Sequence, residues 1–131
     1  MNAPITAIYA SLLAVHIIIL SLRVSLKRRK TRIGLGDEEN EDLQRIVRTQ
    51  ANTVEYVPMA LLLLLLLELN GIAAWVLHAA GVTLFVSRLL HMAGLRKSSG
   101  YSFGRYWGTL ITWLLIVGMA LLNVLIISGI L

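Results

Sequence analysis

The sequence predicts an all-α membrane protein, a single domain over residues 1–131 folded as a bundle of four transmembrane helices. Three observations predict it. Hydrophobic residues form 57% of a 131-residue chain, more than so small a core can shelter from water. They gather into four runs, each able to cross roughly 30 Å of hydrocarbon at about 1.5 Å per residue once flanks are counted. All twelve Lys and Arg lie between Arg23 and Arg105, clustered in alternate connections as the positive-inside rule requires of a multi-span protein.

The first helix is expected over 4–26. Its apolar run, 5–22, is broken only by Thr6, Ser11, His16 and Ser21, and Pro4 suits a helix start. No basic segment precedes the run, so it reads as a span and not as a secretory signal. The connection KRRKTRIGLGDEENED changes sign midway, with Gly34 and Gly36 at the turn. Asp37 or Asn40 is the expected cap of the second helix, 41–69, which has acids in its first turn. The far half of that helix is leucine throughout 61–67, a membrane surface without chemistry. Asn70-Gly71 reverses the chain sharply into a third helix over 72–94. Ser98, Ser99 and Gly100 loosen the next connection, and the fourth helix takes 103–130.

Charge sets the orientation. One connection holds Lys27, Arg28, Arg29, Lys30 and Arg32, the other Arg96, Lys97 and Arg105, while the termini and the Asn70-Gly71 turn hold no base. Both basic connections are therefore expected in the cytoplasm and both termini on the far side. The net charge of +5 is a topology signal with a share for anionic lipid, and no nucleic-acid partner is expected. The chain has no cysteine, so any sulfur chemistry must bring its thiol on a substrate.

The second helix is polar where it should be bland. In RIVRTQANTVEYVP, a turn of about 100° per residue puts Arg45, Arg48, Asn52, Glu55 and Tyr56 within roughly one arc, with Gln50 opposite. Counted back from Asn70, Glu55 lies roughly 22 Å below the outer turn and Asn52 roughly 27 Å. An ionised carboxylate at that depth costs at least a few kcal/mol against lipid. The stripe must face other helices or a watery crevice. Arg23, Arg45, Arg48, Arg88 and Arg105 all fall at the cytoplasmic side, against Glu55 alone as an acid within the membrane. Such a surplus of guanidinium suits an anionic guest bound through carboxylates, with Glu55 left for an ammonium. The expected ligand is small, zwitterionic and net negative.

The pattern R-x-x-R-x-Q-x-N-x-x-E-Y-x-P, formed by Arg45, Arg48, Gln50, Asn52, Glu55, Tyr56 and Pro58, resembles the second-helix signature of the MAPEG superfamily, the membrane-associated proteins in eicosanoid and glutathione metabolism. The glutamine and the E-Y-x-P ending are closest to the leukotriene C synthase and lipoxygenase-activating branch. The loop I-G-L-G-D and the segment R-x-x-H-x-x-G-L at 88–95 are similar to small bacterial members, which implies an inner-membrane protein with periplasmic termini. The resemblance implies a four-helix protomer assembled as a homotrimer, with glutathione as co-substrate held between subunits. By position it makes Arg48, Asn52, Glu55 and Tyr56 glutathione contacts, with Glu55 near the peptide's amino group, and turns Gln50 toward the adjacent subunit. Arg105 matches the arginine that stabilises the glutathione thiolate, since a cation beside sulfur favours its charged form. Arg23 or Arg28 supplies a second charge.

The resemblance has gaps. Leukotriene C synthase carries tyrosines on helix 3 where this chain has His91 and Leu95, and the connection before Arg105 is a few residues longer. His91, three residues after Arg88, is either a partner of the bound anion or an interfacial histidine. His16 and His78 stand alone, with no second ligand one turn away, so they read as interhelical hydrogen-bonders and no metal site is expected. Tyr106 and Trp107 read as an interface belt, Glu68 as a headgroup neighbour, and Trp113 and Asn123 as packing or lipid contacts.

The expected function is a membrane-bound glutathione-dependent transferase or peroxidase acting on a lipophilic small molecule or lipid. The alternative is a non-catalytic lipid-binding or scaffold protein of the same fold. A small four-helix multidrug exporter is less favoured, because it needs an acid in helix 1 and this helix has none.

Overall fold

A computed structural model of the chain describes residues 2–97 and 102–131. Four helices follow one another: α1 (Pro4–Thr31), α2 (Glu41–Leu69), α3 (Ala74–Lys97) and α4 (Phe103–Ile127). Each contains a window apolar enough to cross a membrane. The expected loosening at Ser98, Ser99 and Gly100 lies outside the described residues.

Local chemistry explains the ends. α1 continues five residues past the expected 26 because its last turn is Arg28, Arg29 and Lys30, good helix formers whose charges complement the carboxyl end of the helix dipole. Arg32 then closes it in the left-handed conformation. Of the two expected caps of α2, Asn40 is the one used. Its side chain accepts from the Leu43 backbone N–H at 2.9 Å, and Glu41 and Asp42 follow in the first turn. α2 stays continuous through Pro58. α3 starts at Ala74, two residues later than expected, because the turn at Gly71 uses the intervening residues. α4 is capped by Ser102 and ends at Ile127, three residues short of the expected 130.

α2 and α3 form the middle of the bundle. α1 packs on both, α4 packs on both, and α1 and α4 share no contact among the described residues. Val57, Ala60, Leu64 and Leu67 of α2 recur at helical spacing and meet Tyr9 and Leu13 of α1, Leu77, Ala80 and Leu84 of α3, and Met119 of α4. Lipid tails are as apolar as leucine, so this apolar contact alone does not hold helices together in a bilayer. Close packing and interhelical hydrogen bonds decide the arrangement.

Both are present. α3 and α4 make the most extensive pairing, and glycines allow it. A Cβ on Gly108 would lie 2.7 Å from Ser87 O and from His91 N, and one on Gly94 would strike the Arg105 backbone nitrogen. Polar ties join every neighbouring pair. Asn123 Nδ2 donates to Leu63 O at 3.1 Å, and Tyr9 Oη sits 3.0 Å from His78 Nδ1. Glu68 does not reach out toward headgroups as the sequence suggested. Its carboxylate accepts from the backbone N–H of Ile5 at 2.8 Å and of Thr6 at 2.7 Å. α1 has no side-chain cap of its own, and α2 supplies one from 63 residues away.

Candidate binding face on α2

The polar stripe divides along its length. At its loop end Arg45 pairs with Asp42, one turn earlier, and Lys27 of α1 reaches the same carboxylate at 3.6 Å. Arg45 is thereby committed to the α1–α2 corner. Arg28 is committed as well, its Nη1 donating to Gly36 O at 2.7 Å and Ile33 O at 3.3 Å in the connection. The other candidate of α1, Arg23, is half-buried and lies more than one turn further from the connection. Gln50 turns toward α1, where its Nε2 lies 3.4 Å from Ser21 Oγ. α1 packs on that side of α2, so Gln50 has a contact inside its own chain.

One turn deeper, Arg48 and Glu55 pair at 3.8 Å, with their side chains 59% and 51% exposed. These are charges on the outside of a helix bundle, two turns apart, on a helix long and apolar enough to cross a membrane. Facing acyl chains, the Glu55 carboxylate, roughly 22 Å below the outer turn, would cost at least a few kcal/mol, while Arg48, roughly 33 Å below it, falls at the edge of the hydrocarbon. The partial pairing at 3.8 Å leaves most of their hydrogen-bonding capacity free. The face needs a polar covering.

Asn52 and Tyr56 sit between that pair and the interior. Asn52 Oδ1 accepts from Arg88 Nη2 at 2.6 Å. Tyr56 packs edge-on against Trp113 of α4, ring centroids 6.1 Å apart. Trp113 in turn ends a groove of about 470 Å³ on α4, lined also by Ser102, Arg105, Tyr106, Thr109 and Leu110. Arg105 is exposed on the first turn of α4. The groove carries one guanidinium at its loop end and a run of apolar and aromatic surface toward the membrane, the profile of a site for an amphiphile.

Arg88 and His91 do not lie on that surface. Both are buried, Arg88 at 0% exposure and His91 at 2%. Among the described residues the guanidinium is held by neutral acceptors: Asn52, Thr53 Oγ1 at 3.2 Å and Thr112 Oγ1 at 3.3 Å. Thr112 is fixed by Ser87 Oγ at 3.0 Å and by Gly108 O at 2.7 Å. His91, one turn after Arg88, lies against Gly108 of α4, where an added Cβ would come within 2.8 Å of His91 Cβ. Sequence reading missed Thr53, Ser87 and Thr112. Their signal is a hydroxyl recurring at inward positions in otherwise aliphatic helices, each able to bond its own preceding turn and one neighbour. Of the lone histidines, His78 has the expected interhelical partner, while buried His16 has no partner at Nε2 among the described residues.

Fold and face together define a class: a four-helix integral membrane protein with a charged patch on the outside of its spanning bundle. The sequence of the chain matches the MAPEG family over residues 6–125. It is 34% identical over 119 residues to the inner membrane protein YecN of Escherichia coli K12, an alignment covering 91% of this chain and 89% of the relative. The YecN of Escherichia coli O6:H1 matches to the same extent. The chain belongs to the MAPEG family.

Proposed function

We propose that this protein is a glutathione-dependent transferase or peroxidase of the inner membrane, with glutathione bound on the Arg48–Glu55 face and covered by a neighbouring copy in a homotrimer. The observation that carries the proposal is the Arg48–Glu55 pair, more than half exposed on the outer surface of a helix long and apolar enough to cross a membrane. A zwitterionic tripeptide suits it: ligand carboxylates take the Arg48 guanidinium, and the ligand ammonium takes Glu55. The bundle is supplied from the side of the basic connections, which face the cytoplasm by the positive-inside rule.

The chemistry follows from Arg105. A thiol of the ligand lying near this cation is favoured as thiolate. The thiol proton passes to water, and the thiolate attacks a lipophilic substrate lying in the groove between Arg105 and Trp113. In transfer, a C–S bond forms as the electron pair of the bond broken at that carbon leaves on the displaced group. In peroxide reduction, the O–O bond breaks to release an alcohol, and a second glutathione thiol then displaces water from the sulfenic acid to give the disulfide. The residues supply binding, orientation and a fixed positive charge where negative charge must be held. A non-catalytic lipid-binding or scaffold role has one observation in its favour. The helix-3 candidates, Arg88 and His91, are buried, so neither presents a group to a ligand at the surface.

Equilibrium binding of glutathione to the detergent-solubilised chain tests the site. Arg48→Ala and Glu55→Gln are each expected to weaken binding about tenfold or more, the size of one charge-assisted contact. Unchanged affinity in both variants places the ligand elsewhere.

A further inference from the structure

Arg88 decides which end of the Asn52 amide faces the ligand. A guanidinium has N–H groups and no acceptor. The Asn52 atom 2.6 Å from Arg88 Nη2 is therefore its carbonyl oxygen, since the reversed amide would press N–H against N–H. The assignment is forced by chemistry, not left to a choice between similar atoms. Arg88 itself has little freedom to move. It is fully buried, its Nη2 donating also to Thr53 Oγ1 and its Nη1 to Thr112 Oγ1, with Ser87 beside Thr112, while its Nε has no partner among the described residues. Asn52 Nδ2 consequently points away from the interior, on a half-buried side chain one turn from both Arg48 and Glu55. It finds no acceptor among the described residues.

We propose that Arg88 is a positioning residue that locks Asn52 as a hydrogen-bond donor toward an acceptor oxygen of the ligand, a carboxylate or peptide carbonyl. This deepens the glutathione reading and rests on it for the identity of the ligand, which carries oxygens of both kinds. It also assigns the ligand ammonium to Glu55 by exclusion, because the locked Asn52 offers an ammonium nothing. An untethered asparagine would accept or donate as required; this one discriminates.

Asn52→Asp isolates the effect. The aspartate keeps the shape and bonds Arg88 through one oxygen, but presents a second oxygen outward where the amide N–H₂ had been. It also neutralises a buried cation that has only neutral partners, so its thermal midpoint should equal or exceed that of the unsubstituted protein. Its glutathione affinity should fall tenfold or more. Arg88→Lys retains a donor toward Asn52 and should bind within about threefold of the unsubstituted protein, whereas Arg88→Met frees the amide and should lose about tenfold. An Asn52→Asp protein that binds glutathione undiminished overturns the proposal. So does a midpoint clearly below that of the unsubstituted chain, which would show that Asn52 does not bond Arg88 through oxygen. The second result can be read even if the unsubstituted protein takes up no glutathione, an outcome that sinks the proposed function and leaves the Asn52–Arg88 lock standing on its own measurement.

Discussion

Individual side chains here act across long sequence distances, and Glu68 is the clearest case. Its carboxylate satisfies two of the backbone N–H groups that the start of α1 leaves open, and carboxylate acceptors suit the positive end of a helix dipole. Glu68→Ala should lower stability by about 1–2 kcal/mol, measured as a shift in unfolding in detergent. Glu68→Gln, which keeps one acceptor oxygen, should lose less. An unchanged Glu68→Ala protein would show that the cap does not form. Nothing in the sequence announces this contact, because a glutamate beside a turn looks the same whether it meets water or another helix. The stripe was legible for the opposite reason: charge at membrane depth has few explanations, so Arg48 and Glu55 declare themselves. What the helical arc could not show is that its members separate, with Arg45 bound to Asp42 and Asn52 to Arg88.

At the scale of elements, the pairing of α3 with α4 governs the site, since α4 brings Thr112 to Arg88 and Arg105 to the groove. Gly108 sets their separation. Gly108→Val must push the two backbones apart and should cost about 1–3 kcal/mol as an overpacked contact. Gly118→Val, on the same helix with open space around it, should change stability by less than about 0.5 kcal/mol. Equal effects at the two glycines would mean that the helices are not in close contact at Gly108. Helix existence and order were readable from hydropathy alone, and α2 was placed correctly at both ends by its cap and its turn. The basic tail of α1 was not, because a run of lysines and arginines at a membrane edge reads equally as loop or as helix. Which glycines pack and which stand open is likewise hidden until helix rotation is known.

At the scale of the whole molecule, a single bundle leaves its charged face turned to the bilayer. With an ionised Glu55 roughly 22 Å below the outer turn and Arg48 at the hydrocarbon edge, an isolated protomer is less suited to lipid than a covered one. The proposed homotrimer, with this face between copies, would resolve this and would give the proposed ligand a second wall. Composition made the membrane assignment and family membership accessible from the start, the latter through the spacing of seven residues on α2. Chemistry is harder to read, because the groove beyond Arg105 is lined by side chains that many lipophilic substrates would fit. The central claim is that glutathione is held as a thiolate. Difference ultraviolet absorbance on adding glutathione to the purified protein at neutral pH tests it most directly. The account predicts a thiolate signal that saturates with binding and is lost in Arg105→Ala. Saturable binding with no thiolate signal, together with no conjugation of a generic electrophile, would contradict it and identify the protein as a non-catalytic member of its family.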